Sequence, residues 1–97
     1  MAKCRRASYI GIVKARKVRL FIKPWCGWCD QAIDWLERRG IPFEVLDVTT
    51  EAGARQEMRE ISGQSLAPVI DVDGKVLADF DTGQLEHFWK RLEAEAA

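Results

Sequence analysis

Apolar and polar positions along this chain alternate with two different periods, and the changes of period mark its elements. Val18 to Lys23 reads Val-Arg-Leu-Phe-Ile-Lys, a β-rich run stopped by Pro24, which cannot donate to a ladder. From near Cys26, Ala32, Ile33 and Leu36 recur at helical spacing with Trp35 beside them, and predict a helix ending at Gly40. Phe43 to Val48 returns to strand character. Thr50 is the expected cap of a second helix over roughly 51–61, with Ala54, Met58 and Ile61 on one face and Gly63 closing it. Val69 to Val72 is a strand. Asp73-Gly74 is a hairpin turn whose central positions want positive φ, and Lys75 to Ala78 is the return strand. The last helix runs roughly from Thr82 to Glu95 on a stripe of Leu85, Phe88, Trp89 and Leu92.

The order β-α-β-α-β-β-α belongs to the α/β class. Strands joined through a helix are expected to be parallel, and the hairpin adds an antiparallel partner. The expectation is a four-stranded mixed sheet flanked by helices. Residues 1–16 are basic, with one apolar cluster at Tyr9, Ile10, Ile12 and Val13, and read as an arm outside the core. That leaves residues 17–97 as one domain.

Composition narrows the function classes. The 97 residues are 47% hydrophobic and 31% charged, ordinary for a globular chain with one modest core. Fifteen Lys and Arg balance fifteen Asp and Glu, which removes the electrostatic reason to expect nucleic acid or a membrane surface as partner. No apolar run approaches the roughly 20 residues that span a bilayer, and no leader pattern opens the chain. Three cysteines are too few, and odd in number, for a disulfide-stapled secreted scaffold. The expectation is a cytoplasmic protein whose paired cysteines do redox or metal chemistry.

The chemistry is concentrated in Lys23-Pro24-Trp25-Cys26-Gly27-Trp28-Cys29. The spacing lets one helical turn bring both sulfurs within bonding reach. Cys26 falls where strand gives way to helix, so unpaired N–H groups and the positive end of the helix dipole stabilise its thiolate. That makes Cys26 the attacking group at neutral pH. Cys29 lies one turn inside, better placed to resolve a mixed disulfide formed on Cys26. Lys23 adds positive charge nearby. A closed zinc site needs four ligands, and the only other candidates, Cys4 and His87, stand at opposite ends of the chain. Trp25 and Trp28, on the active-site turn, read equally as a docking surface or as local packing. Trp35 and Trp89 are expected in the core, His87 on the surface, and Cys4 as an exposed thiol in the arm.

On these residues the chain resembles glutaredoxins, within the thioredoxin fold, over about residues 17–93. The matching stretches are Leu20 to Cys26, Gly40-Ile41-Pro42-Phe43-Glu44 with Asp47-Val48, Gly63-Gln64 leading to Ala67-Pro68-Val69, and Asp73-Gly74-Lys75. The resemblance implies glutathione-linked reduction of protein disulfides and of protein–glutathione mixed disulfides. It makes Cys26 the nucleophile and Cys29 the resolving thiol, and it implies a cis bond before Pro68. Lys23 and Arg55 stand where the family places cations for a glutathione carboxylate. Trp28 takes the position of the usual tyrosine and packs on the tripeptide. Ala67, before Pro68, offers its backbone to the cysteinyl part. Asp81, with Thr82 at a helix N-terminus, takes the γ-glutamyl end. The partners implied are glutathione and disulfide-bearing or glutathionylated proteins, with the chain itself a monomer.

The sequence departs from the family in four places. Gly27-Trp28 replaces the usual Pro-Tyr between the cysteines, Leu66 a threonine, Ser65 a basic residue, and Ala78-Asp79 a Gly-Gly pair. Loss of the proline accompanies, in some glutaredoxins, a [2Fe-2S] cluster held between two chains, for which Cys26 would be the ligand here. Similarity to glutaredoxin-like thiol donors adds thioredoxin reductase as an alternative electron source.

Overall fold

The computed structural model describes residues 17–96. The expected basic arm over 1–16, with Cys4, lies outside the described residues. The elements are β1 (Val18–Ile22), α1 (Gly27–Arg38), β2 (Glu44–Asp47), α2 (Ala54–Ser62), β3 (Val69–Val72), β4 (Lys75–Ala78) and α3 (Thr82–Ala96).

The strands form one sheet in the order β2-β1-β3-β4. β1 runs parallel to β2, with Leu20 opposite Val45, and antiparallel to β3, with Leu20 opposite Ile70. β3 and β4 close the antiparallel hairpin. Its turn has Asp73 at φ 52° and Gly74 at φ 92°, the two positive values that match the right-handed twist of the flanking strands.

Because strand side chains alternate, β1 and β3 send neighbouring residues to opposite faces. Val18, Leu20, Ile70 and Val72 point to one face and pack with Ala32 and Leu36 of α1 and Leu85, Trp89 and Leu92 of α3. Trp35 meets Trp89 edge to face at 6.1 Å, and the Arg39 guanidinium lies 4.1 Å from the Trp35 ring centroid. Phe21 and Val69 point to the other face, against Ala54 and Met58 of α2 and both Cys26 and Cys29. His87 is exposed, as its spacing implies.

One predicted boundary is corrected. Thr50 does not cap α2, and the helix begins at Ala54 with Gly53 as its N-cap, in a left-handed conformation and without a side-chain cap bond. The cause lies in Asp47. Its carboxylate accepts from the Thr49 N–H and hydroxyl, and its carbonyl accepts from Thr50 and Glu51. These bonds wind the chain into turns before the helix starts, as Asx side chains do.

Candidate active site

Cys26 is the N-cap of α1. Its extended backbone (φ −120°, ψ 105°) turns its sulfur back over the first turn, where it accepts from the Cys29 N–H at 3.2 Å. A donor fixed there favours the charged form of the sulfur, and so does the dipole of a helix aimed at it. Asp30 contributes its backbone N–H to the Cys26 carbonyl, which locks the turn. The two cysteines are joined as a disulfide across a Cα separation of 5.2 Å. Cys29 is 1% exposed and Cys26 8%, so the outer sulfur is the one a substrate reaches first.

The approach to Cys26 is set by Trp25, which sits at φ 57°. An L-residue adopts that left-handed conformation only when its surroundings require it. Here it throws the indole clear of the protein, at 100% exposure. Lys23 and Pro24, in the same turn, are exposed as well. Trp28, in the first turn of α1, is 54% exposed.

Across from the turn, the Ala67-Pro68 bond is cis. Ala67 is 8% exposed and packs in one cluster with Cys26, Cys29 and Ala54. Among the described residues, no hydrogen bond engages the Ala67 N–H or carbonyl. Nearly all buried backbone groups are paired, so this pair is an open edge beside the sulfur. Its neighbours are fully engaged. Gln64 brackets Leu66, accepting from the Leu66 N–H at 2.7 Å and donating to its carbonyl at 3.0 Å. Asp79 donates to the Pro68 carbonyl at 2.8 Å.

Arg55 is exposed in the first turn of α2, next to Ala54 of the cysteine cluster. It lines a groove of about 860 Å³ with Val48, Gly53, Arg59, Gln64 and Ser65, which runs beside the cysteines rather than over them. Asp81 and Thr82 open α3. Asp81 is already occupied: its carboxylate accepts from the Gln84 N–H at 2.8 Å, and its own N–H donates to the Gln84 side-chain oxygen at 2.9 Å. This reciprocal cap satisfies two orphan donors of the helix start. The Asp-x-x-Gln spacing before the stripe of α3 carried that signal in the sequence. Of the expected site residues, Cys26, Cys29, Ala67 and Pro68 come together at the ends of β1 and β3. Lys23 and Trp28 lie within three residues of Cys26 in the chain, Arg55 follows Ala54 of the same cluster, and Asp81 and Thr82 open α3.

A second polar feature was missed by the sequence reading. Arg19 of β1 donates to Asp71 of β3 through Nε at 3.2 Å and Nη2 at 2.7 Å, and to Glu57 of α2 through Nη1 at 2.7 Å. The Asp71 carboxylate, acting first, raises the Arg19 pKa, although burial pulls the other way. Its guanidinium lies 5.3 Å from the Phe21 ring centroid. The available signal was a lone charge inside a β-run that is otherwise apolar.

Among the described residues, no group of three or more His, Cys, Asp or Glu is placed to hold a metal ion, and no helix is long and apolar enough to cross a membrane.

Comparison with known proteins agrees with this geometry. The glutaredoxin family profile matches residues 18–77. A glutaredoxin-like 8.6 kDa protein from the rubredoxin operon of Clostridium pasteurianum is 30% identical over 69 residues, covering 71% of this chain and 92% of that protein. Glutaredoxin 3 of Escherichia coli K12 is 30% identical over 64 residues, covering 66% of this chain and 77% of that protein. The crystal structure of a glutaredoxin from Archaeoglobus fulgidus superposes with a TM-score of 0.66 at 22% identity, covering 86% of this chain and 94% of that one. With the thioredoxin-type sheet, the paired cysteines after its interior strand β1 and the profile match in hand, this chain belongs to the glutaredoxin family.

Proposed function

We propose that this glutaredoxin is a dithiol thiol–disulfide oxidoreductase that draws its electrons from glutathione. The observation that carries the reading is the capped Cys26 sulfur, within bonding reach of Cys29 and beside the open backbone of Ala67. In the reduced protein the Cys26 thiolate attacks one sulfur of a substrate disulfide. With a glutathionylated protein, the glutathionyl sulfur transfers to Cys26 and the protein thiolate leaves with the bonding pair. A second glutathione thiolate then frees Cys26 and departs as glutathione disulfide. With a protein disulfide, Cys29 loses its proton and attacks the mixed disulfide, leaving the Cys26–Cys29 bond for two glutathiones to reduce. Ala67 pairs with the extended backbone of the cysteinyl residue, as in strand addition. Lys23 and Arg55 face its carboxylate, and Trp28 covers its side.

The test is turnover of a small glutathione mixed disulfide with glutathione and glutathione reductase, run beside a reaction fed by thioredoxin reductase. Cys26→Ser removes turnover from both. Cys29→Ser keeps the glutathione mixed-disulfide reaction and loses protein-disulfide reduction. Turnover only with thioredoxin reductase rejects glutathione as the donor, and turnover retained by Cys26→Ser rejects the nucleophile.

One observation favours a second reading. Apart from its two chain neighbours, a Cβ built on Gly27 meets nothing within 4 Å, so the first turn of α1 is open at the position where the family's usual proline would stand. Cys26 of the reduced chain is then the one ligand this chain offers a [2Fe-2S] cluster, the others coming from outside it. Such a cluster would serve storage or transfer of iron and sulfide. Visible absorption after anaerobic reconstitution with glutathione supports that reading, and a colourless product rejects it.

A further inference from the structure

Among the described residues, Asp71 is the one charged side chain in the buried set, at 9% exposure. It sits inside β3, a strand paired on both sides. One of its carboxylate oxygens accepts from Arg19 Nε and Nη2, and the other from the Gly74 N–H at 2.8 Å. Arg19 gives its remaining arm to Glu57 of α2. One cation thus faces two carboxylates, and a single negative charge is left over. Neither substrate binding nor disulfide exchange, as derived above, uses this group.

The triad shares a layer with the reacting sulfurs. Arg19 stands opposite Asp71, and two residues further along the same face Phe21 stands opposite Val69. Phe21 and Val69 are fully buried, in one cluster with Cys26, Cys29, Ala54 and Met58. The Arg19 guanidinium lies 5.3 Å from the Phe21 ring centroid. Glu57 comes from the helix that supplies Ala54 and Met58. About 7 Å of strand separates the triad from the Phe21–Val69 pair, and the cluster above it is apolar. Charges across such a layer are screened far less than charges across water.

We propose that the Arg19–Asp71–Glu57 triad tunes the dithiol site from beneath, its charge setting how readily Cys26 holds a thiolate. The proposal rests on the oxidoreductase reading and adds to it residues that touch neither substrate nor sulfur. The direction follows from the signs. Arg19 favours the thiolate, Asp71 and Glu57 oppose it, and the balance opposes it slightly. The start of α1 acts the other way. An attacking thiol is fastest when its pKa lies near the ambient pH, because nucleophilicity falls along with the pKa. A remote negative charge that offsets part of the helix effect keeps the thiol reactive. On the elements around the pair stand also Lys23, Asp30, Asp47, Arg55, Asp79 and Asp81. All six are exposed or half-buried, and all stay constant across the variants below.

The experiment follows alkylation of Cys26 by iodoacetamide against pH in the reduced full chain, with the Cys26 peptide read by mass apart from Cys4 and Cys29. Asp71→Asn should raise the thiolate fraction below the midpoint about threefold, and Arg19→Gln should lower it about threefold, the order of effect Coulomb's law leaves after solvent screening. The double variant restores the parent's net charge and should restore its profile. Arg19→Lys keeps the charge while losing the forked hydrogen bonds, and should keep the profile as well. A purely structural triad behaves otherwise: loosening the layer moves both single variants the same way, and Arg19→Lys with them. If Arg19→Gln fails to fold, Glu57→Gln, at the more exposed end, should move the profile toward lower pH by a smaller step. Single variants that shift together, or profiles that do not move, overturn the proposal and leave the oxidoreductase reading in place. A parent chain whose Cys26 is alkylated at no pH overturns both.

Discussion

On the face of the sheet covered by α1 and α3, every buried contact is apolar, from Val18 and Leu20 out to Leu85, Trp89 and Leu92. On the face covered by α2, the buried set is smaller and chemically mixed. It holds the disulfide, Phe21 and Met58, together with Asp71, which pairs with the half-buried Arg19 and, through it, with the more exposed Glu57. The strands are the same, so the difference comes from alternate residues alone. Even-numbered positions of β1 and β3 are apolar throughout, whereas the odd-numbered ones add Arg19 and Asp71, which need partners, to the buried Phe21 and Val69. A small domain can hold a disulfide and a left-handed turn at the end of an interior strand because the opposite face is committed to packing.

That contrast can be broken most strongly on the apolar face. Leu36→Ala should lower unfolding free energy by about 2–5 kcal/mol, since Leu36 is fully buried and its loss leaves a cavity. Urea denaturation measures it. The folded fraction should exchange disulfides at the rate of the parent chain, and a loss of exchange rate in the folded protein would show that the two faces are not separable.

A smaller loss is expected from the mixed face. Arg19→Met leaves Asp71 without its cation in a site that is 12% exposed, and should cost about 2 kcal/mol. For a domain of this size that lowers Tm by about 8–16 °C. Pairing it with Asp71→Leu should recover most of the loss, because removing both charges removes the desolvation problem. A thermal scan of the three proteins decides whether the triad stabilises the sheet or only satisfies itself.

Smaller still is the effect at α3. Gln84→Ala should destabilise by about 0.5–1 kcal/mol through loss of the reciprocal cap. It also frees the Asp81 N–H, so the KM for a glutathione mixed disulfide should fall about threefold, the equivalent of one modest hydrogen bond. Steady-state kinetics with the coupled assay reads it, and an unchanged KM would separate Asp81 from glutathione.

The smallest effect is at Asp47. Hydrogen bonds from the Thr49 hydroxyl and then the Thr49 N–H hold its carboxyl below the usual carboxylate range. A depressed value in the folded state means the stabilisation is present above the unfolded value and fades as pH falls through the folded one. The stability gap between the parent chain and Asp47→Asn should therefore be constant near pH 7 and close at a pH below about 4. Urea midpoints across that range measure it, and a gap that widens on acidification would contradict the assignment.

Much of this was legible along the chain. Pro24, Gly40, Gly63 and Asp73-Gly74 punctuate the elements because each restricts or frees the backbone locally. The positions of Cys26 and Cys29 followed from a strand ending and a helix beginning. The start of α2 was not legible, because Thr50 and Gly53 are about equally good caps in composition. The bonds around Asp47 decided between them. Asp81 was read as a ligand group, although the Asp-x-x-Gln spacing signalled its commitment to Gln84 as a reciprocal helix cap.

What the sequence determined by itself was the order of elements, the family and the pair of reacting thiols, because those rest on local backbone preference and short spacing. Tertiary structure alone decided the rest. The packing of Ala67 with Cys26 and Cys29, and the meeting of Arg19 with Asp71 and Glu57, join residues far apart in the chain. Such contacts depend on strand register and on which face each side chain takes, and pairing of β1 with β3 sets both.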